Sequence, residues 1–567
     1  MHTVRGTTGF VPKSILCLKS YSRSDFIADL IAGITVGFVA LPLAMAFAIS
    51  SGVPPQSGIY CAIVAGFLIS ALGGSKTQIG GPTGAFVVVV SGIIAQYGID
   101  GLYMCTMMAG VILILLGVSG LGATVKYIPR PVIIGFTNGI AVLIASTQLK
   151  DLFGLQIDKV PGEFIERIKE IVLNLPTFSS AAVALSTVSL AIIILGKKFI
   201  PKVPGSLAAL LIGSLIAAIF SLPVETIQTK FGGIPQGLPE IVIPTFRPGL
   251  ILSLLSPTIT IAMLGAIESL LSAVVSDRMS NDRHNPNVEL FAQGVANVVS
   301  PMFGGLPATG AIARTATNIR SGARSPISGM IHAVTLLTIL LVAAPLAGHI
   351  PLPVLAAILL VVSYNMGEWT EIPDILRLNY SSIVVWALTF GLTVFADLTV
   401  AVEAGMAMAA LLYIRNVTNT TTVVEITEQH IQSDADHSLH LNPFPPGAAM
   451  FRIHGPFLFG ASDKLALIYN KIDSLPPVVI IRLRNMNAID ATGLFALEDL
   501  AEALKKTGRT MIICGMRDQP ARLIDQAEFQ DVVGKENICS SLKAAVNRAN
   551  EILAQSIPPE ERHSPNS

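Results

Sequence analysis

Two ionisable residues sit in stretches that are otherwise apolar: Glu268 toward the end of the run 251–276, and Arg314 within 308–319. A cation deep in hydrocarbon costs about 2.5–3.5 kcal/mol even on lenient insertion scales, so Arg314 needs a partner. A transported oxyanion and the Glu268 carboxylate are the two alternatives. Ser272 lies one turn beyond Glu268 on the same helical face. A carboxylate placed there suits carriage of a coupling proton, because a dianion that enters together with protons loses much of its charge cost.

Two glycine- and proline-bearing runs stand near these charges, Gly80-Gly81-Pro82-Thr83-Gly84-Ala85 and Gly304-Gly305-Leu306-Pro307-Ala308-Thr309-Gly310-Ala311. The apolar segments they open, 82–95 and 308–319, would each rise only ~20 Å as helices, so each needs an extended lead-in to cross. Glycine permits close backbone approach, proline starts a helix without losing a donor, and the free N–H groups of a half-helix start seek an acceptor. Two such starts meeting near the midplane aim their positive dipole ends at one point and make an anion site with few charged side chains. The candidate binding residues are therefore Thr83, Gly84 and Ala85 in the first run and Thr309, Gly310, Ala311, Ala313 and Arg314 in and after the second. A kink tolerated by neighbouring helices is the plainer account, but it does not explain why the motif recurs at equivalent positions.

The elements that must position these residues follow from composition. Of 567 residues 52% are hydrophobic and 13% charged, with mean hydropathy +0.66, which excludes a disordered chain and an ordinary soluble enzyme. Lys+Arg and Asp+Glu both number 37, so no overall field favours nucleic acid as a partner. The five cysteines have no metal-ligand spacing, and neither a P-loop nor a nucleophile–base pairing is present, so no metal, no cofactor and no enzymatic activity are expected. About fourteen apolar segments recur between 30 and 414. The positive-inside rule, read from Lys76, Lys126, Arg130, Lys197, Lys198, Lys202, Arg278, Arg283, Arg320, Arg324 and Arg377, places both termini in the cytoplasm. Lys150, Lys159, Arg167, Lys169, Lys230 and Arg247 fall in two long outer connections, where a surface helix can lie. The two glycine runs open the third and tenth segments, seven apart, which is the signature of two inverted halves of seven segments each. Phe47, after Pro42 in the first segment, either packs or lines a pocket, and His332 is expected to be a satisfied packing residue. Glu403 and Asp397 read as interface or helix-end charges.

The soluble remainder has its own pattern. Residues 1–27 form an amino-terminal cytoplasmic segment, 28–415 the transmembrane domain, 416–441 a polar linker, 442–556 an α/β domain and 557–567 a tail. In the α/β domain, 478–481 reads as a buried strand, Asp490-Ala491-Thr492-Gly493 as a capped turn, 494–506 as a helix and 510–514 as the next strand. Asp490 or Thr492 would accept from free N–H groups at the helix start, and phosphorylation of Thr492 is a regulatory alternative.

These motifs resemble the sulfate permease (SulP) anion transporters with a carboxyl-terminal STAS domain. The resemblance rests on Ala40-Leu41-Pro42-Leu43-Ala44-Met45-Ala46-Phe47-Ala48, Gly81-Pro82-Thr83, Gly265-Ala266-Ile267-Glu268-Ser269-Leu270-Leu271, Ala311-Ile312-Ala313-Arg314-Thr315 and Asp490-Ala491-Thr492-Gly493. It implies a polytopic α-helical membrane protein with about fourteen segments in a seven-plus-seven inverted repeat, divided into core and gate domains, plus a small cytoplasmic α/β STAS domain. It further implies an elevator-like motion, usually in a dimer, with the anion between the third and tenth half-helices. Phe47, Thr83 and the backbone from 309 to 313 would line that site, with Arg314 nearby. In sodium-coupled bicarbonate members an Asp stands where Glu268 stands here, whereas the Glu resembles proton-coupled members, including bacterial C4-dicarboxylate carriers. Leu43 replaces a Gln of some animal relatives. The STAS resemblance extends to anti-sigma-factor antagonists, which carry Ser where this chain has Thr492. The sequence thus predicts a secondary transporter of sulfate, C4-dicarboxylate or bicarbonate, coupled to protons, in a bacterial inner membrane, with a cytoplasmic protein as a potential STAS partner. A passive anion channel, a sodium-coupled bicarbonate carrier, a nucleobase permease and a signalling receptor are the rivals.

Overall fold

The structure is a computed structural model, and it describes residues 10–122, 129–157, 160–199, 204–237, 241, 247–377, 379–396, 398–426 and 445–555. Lys126, Lys159, Lys202, Asp397, the first nine residues, 427–441 of the expected linker, 442–444 at the expected start of the α/β domain and the 557–567 tail lie outside the described residues. The chain divides into two compact units, Met1–Ala409 and Ala410–Ser567.

In the first unit the elements run α1 (Lys13–Leu18), α2 (Arg23–Ser50), α3 (Pro55–Leu72), β1 (Gly80–Gly81), α4 (Phe86–Val118), α5 (Arg130–Phe153), α6 (Phe164–Leu173), α7 (Ser180–Phe199) and α8 (Gly205–Ile219). They continue with α9 (Ile227–Phe231), α10 (Ile251–Ser280), α11 (Pro286–Val299), β2 (Thr309–Gly310), α12 (Ile312–Arg320), α13 (Ile327–Gly348), α14 (Leu352–Met366), α15 (Ile372–Arg377), α16 (Tyr380–Phe395) and α17 (Leu398–Thr420), which runs on into the second unit. Eight of the described helices are long and apolar enough to cross a membrane unaided, and 180–196, 205–219 and 380–395 are shorter apolar helices. The 33 residues of α4 would extend about 50 Å as one rod, but Gly98 (φ 70°, ψ −173°) breaks it into a short third segment and a full fourth. With α1, α6, α9 and α15 set aside, the helices from α2 to α17 make fourteen segments among the described residues, two of them (86–97 and α12) short and preceded by extended lead-ins. The connections between α5 and α7 and between α8 and α10 hold the short helices α6 and α9.

Packing repeats across the two halves. The fourth segment lies against α10 and α11, the eighth and ninth; seven positions on, α13, the eleventh, lies against α2 and α3, the first and second. Likewise α5 against α16 mirrors α14 against α7. Close approach explains the glycines here: a Cβ on Gly294 would lie 2.6 Å from the Gly110 carbonyl oxygen, and one on Gly33 2.5 Å from that of Ser328. Between helices surrounded by lipid, where water supplies no drive to associate, such small-residue contacts supply the packing energy.

The second unit carries a five-stranded sheet of β3 (Thr422–Glu425), β4 (Ala448–His454), β5 (Val478–Asn485), β6 (Thr510–Cys514) and β7 (Ile538–Cys539), in that spatial order. β3 is antiparallel to β4 and the remaining pairs are parallel. Helices α18 (Ala491–Lys506), α19 (Asp518–Gln526) and α20 (Leu542–Gln555) pack on it. Two separate apolar clusters, one containing Leu497 and Leu500 and the other Ala545 and Ala549, cover its two faces, as the continuous Val-Val-Ile-Ile run of β5 requires. Residues 416–426, expected as polar linker, instead finish α17 and form the edge strand β3. Its Thr-Val-Val-Glu alternation suits a half-exposed strand.

Candidate anion site

The two lead-ins cross. β1 and β2 pair antiparallel, Gly80 opposite Gly310 and Gly81 opposite Thr309, and the Ala311 N–H donates to the Ile79 carbonyl at 2.8 Å. Glycine is required at the crossing: a Cβ on Gly310 would fall 1.8 Å from Gln78 Nε2, and one on Gly81 (φ 143°) 2.7 Å from Arg314 Nη1.

A polar stripe on α10, Gly265, Ser269, Ser272 and Ser276, fastens this crossing turn by turn. Gly310 N–H donates to Ser269 Oγ (3.1 Å), Ser269 donates to Thr309 Oγ1 (2.7 Å), and Thr309 donates to the Gly265 carbonyl (3.1 Å). One turn on, Ser272 Oγ meets Thr315 Oγ1 at 3.1 Å, which accepts the Ile79 N–H at 3.0 Å; further on, Ser276 Oγ meets Thr77 Oγ1 at 2.8 Å. Asn297 of α11 holds Ala308 through both its N–H and its carbonyl, each bond 2.8 Å, and Asn318 Nδ2 donates to the Thr77 carbonyl at 2.9 Å. The backbone groups of these irregular segments are thus bonded inside the protein, the condition for non-helical chain at membrane depth.

Against this frame the expected site residues separate. Thr83 Oγ1 donates to Glu268 Oε2 at 2.9 Å, and both residues are partly exposed. Gly84 faces a seam: a Cβ there would lie 3.0 Å from Ile144, 3.2 Å from Met366 and 3.3 Å from Phe47. Phe47 therefore packs and borders the seam at once. Ala313 is exposed, whereas Ala85, Thr309, Gly310 and Ala311 are buried, with the Thr309 hydroxyl and the Gly310 amide engaged in the α10 chain. Ser272 is bonded to Thr315 rather than to Glu268. Arg314 is 2% exposed; Nη2 donates to the Pro82 carbonyl and Nη1 has no hydrogen-bond partner. No ion pair joins it to Glu268 among the described residues, so the cation is tied to the opposite lead-in and keeps one donor free. His332 is fully buried as expected, yet neither ring nitrogen has a hydrogen-bond partner, so the expectation of a satisfied residue does not hold. Glu403 is exposed.

Sequence reasoning missed Ser269, Thr315, Gln78, Asn297 and Asn318, which hold the crossing, and Ile144 and Met366 across the seam. The serine spacing on α10, at intervals of three and four, was a signal for the first; nothing local marked the last two.

A profile of the Sulfate permease family matches residues 26–389, and a STAS domain profile matches 442–545. The chain belongs to the sulfate permease family. As a sulfate permease homologue it is 41% identical over 92% of its length, and 97% of the relative's, to the putative sulfate transporter YvdB of Bacillus subtilis. It is 30% identical over 92% of its length, and 94% of the relative's, to the bicarbonate transporter BicA of a Picosynechococcus strain. Among solved structures, murine Slc26a9 in the inward-facing state aligns over 97% of this chain and 96% of that one with TM-score 0.85 at 18% identity, a likeness of fold. The transmembrane domain of a cyanobacterial BicA aligns over 69% of this chain and 98% of that one, with TM-score 0.60 at 31% identity. The protein is a polytopic helical anion transporter of the SLC26 fold with a carboxyl-terminal STAS domain, and not an enzyme.

Proposed function

We propose that this sulfate permease homologue is a proton-coupled secondary transporter of small oxyanions, sulfate first, with Glu268 carrying the proton. The observation that carries the reading is the hydrogen bond from Thr83, at the start of one half-helix, to Glu268 on α10, beside the crossed lead-ins. A carboxylate that is bonded to the half-helix start and still partly open can exchange a proton and report its charge to an anion bound there. The anion rests against Thr83, Gly84 and the α12 start at Ala313. Arg314 supports it through the Pro82 carbonyl and through its positive field rather than by a standing ion pair. Transport proceeds as the segments carrying the crossed lead-ins (α2–α4 and α10–α13) slide against α5–α8, α14 and α16 along the seam at Phe47, Ile144 and Met366. The most extensive helix contacts fall within these two sets, which supports the division.

The name of the BicA relatives favours a second reading, bicarbonate in place of sulfate. One experiment distinguishes the readings: uptake of labelled sulfate, succinate, fumarate and bicarbonate into proteoliposomes, each with and without imposed proton and sodium gradients. Proton-driven sulfate uptake supports the first reading, and sodium-driven bicarbonate uptake replaces it with the second. Flux insensitive to either gradient, for every anion, refutes coupling and leaves a channel.

A further inference from the structure

Beside the amino-terminal helix, and reaching the beginning of the first lead-in at Lys76 and Thr77, a polar cleft of about 360 Å³ opens between α1, the start of α2 and the ends of α10 and α12. Its construction is one-sided in hydrogen-bonding terms. Every carboxylate oxygen at the cleft is already accepting. Asp25 takes Arg324 Nη1 on one oxygen at 3.0 Å and the Ser22 hydroxyl on the other at 2.7 Å. Beneath it, buried Asp29 takes the Ser325 N–H on one oxygen at 3.1 Å and the Tyr21 hydroxyl on the other at 2.9 Å. The donors are in surplus. Half-buried Lys76 lines the cleft and makes no hydrogen bond or ion pair among the described residues, and the Ser20 hydroxyl and Arg324 Nε and Nη2 make none either.

A pocket whose carboxylates are all engaged and whose free groups are an ammonium, a guanidinium edge and a hydroxyl suits an oxyanion. We propose that this cleft is a second anion site, separate from the transport site, that holds a phosphate group. An anionic phospholipid headgroup is the source the surroundings favour. α1 exposes Ile15 and Leu18, and the first turns of α2 expose Phe26, Ile27 and Leu30, so a lipid-facing apolar surface adjoins the basic cleft. Free phosphate is the other source of the same chemistry.

The test measures the acylation rate of Lys76 by an amine-reactive reagent, followed by peptide mass spectrometry on the full chain. Exposed Lys19, which does not line the cleft, serves as the internal reference. The protein is placed in phosphatidylcholine vesicles, in vesicles with added phosphatidylglycerol, and in phosphatidylcholine with inorganic phosphate. The lipid source predicts that phosphatidylglycerol slows Lys76 about fivefold more than Lys19, the factor expected for one basic residue at an anionic headgroup. Slowing by inorganic phosphate alone supports the site with the free ion as its source. Slowing at Lys76 no greater than at Lys19 in both arms overturns the proposal. A Lys76→Gln variant that elutes as a single folded species and yet retains as much phosphatidylglycerol as the wild type in native mass spectrometry also overturns it. Neither readout depends on transport, so failure here leaves the proposed function untouched.

Discussion

Replacing Ser269 with Ala removes the middle member of the chain that runs from the Gly310 amide through Ser269 and Thr309 to the Gly265 carbonyl. Ser269 and Thr309 are fully buried and Gly310 is buried, so water does not substitute for the lost hydroxyl. The Gly310 N–H is left without an acceptor, at a cost of about 1–3 kcal/mol for an unmet buried donor. Hydrogen bonds between helices in membrane proteins average nearer 0.6 kcal/mol, with a ceiling near 1.7. Two bonds lost together therefore weaken the crossed arrangement by about 1–2 kcal/mol, a factor of roughly 5–30 in the population of correctly seated lead-ins. The expected result is a lower melting temperature of the purified protein by fluorescence-detected size exclusion. Initial uptake into proteoliposomes should also fall several-fold. The reference is Ser91→Ala, which loses only a bond to its own helix at Val88. If Ser269→Ala melts and transports like Ser91→Ala, the α10 stripe does not hold the site and the account of its geometry fails.

Three further outcomes follow from named contacts. Glu268→Gln should remove stimulation of uptake by an imposed proton gradient while anion binding survives, since the amide can still accept from Thr83; uptake that stays fully pH-driven would show that the proton travels elsewhere. Gly294→Leu places a side chain 2.6 Å from the Gly110 carbonyl and should cost at least about 1–3 kcal/mol of packing, read as loss of monodisperse protein, whereas Gly92→Leu, which meets nothing within 4 Å, should be tolerated. In the second unit, Asp490 accepts from Gly493 N at 2.8 Å and Phe459 N at 2.9 Å. Asp490→Ala should accordingly speed hydrogen exchange at those amides by roughly 2–30-fold, the range for losing a helix cap. Thr492→Ala should leave exchange there unchanged, because the exposed Thr492 takes no part in the cap; equal effects of the two substitutions would contradict the assignment.

Much of the frame was legible before any coordinates. That two short segments open with extended lead-ins was readable because Gly and Pro at 80–82 and 304–310 serve no purpose in an uninterrupted helix; that the lead-ins pair antiparallel was not. The strand at 510–514 was readable because its cause is local, and so was a capped turn at 490–493, though the choice of Asp490 over Thr492 as its acceptor came from the structure. Less legible was the part each site residue plays. Thr309 and Ser272 look like ligand-facing hydroxyls in the sequence, yet both hold backbone and neighbouring side chains. Arg314 was weighed against an anion and a carboxylate, and its contact is a carbonyl of the other lead-in. Strand β3 was hidden in a polar stretch because an edge strand with one half-exposed face differs little from a linker in composition.

The sequence by itself determined that the chain spans a membrane many times, that two broken helices sit at equivalent places in two halves, and that an α/β domain follows. Each of these depends on periodicity, length and local conformational preference, which act over a few residues. Only the tertiary structure decided which hydroxyls face the crossing and which are held within it, that Ile144 and Met366 close the seam opposite Gly84, and that the carboxylates beside Lys76 are already bonded. Those outcomes depend on which side chain meets which across segments far apart in the chain, and hydrogen-bond partners inside lipid are assigned by that meeting rather than by residue type.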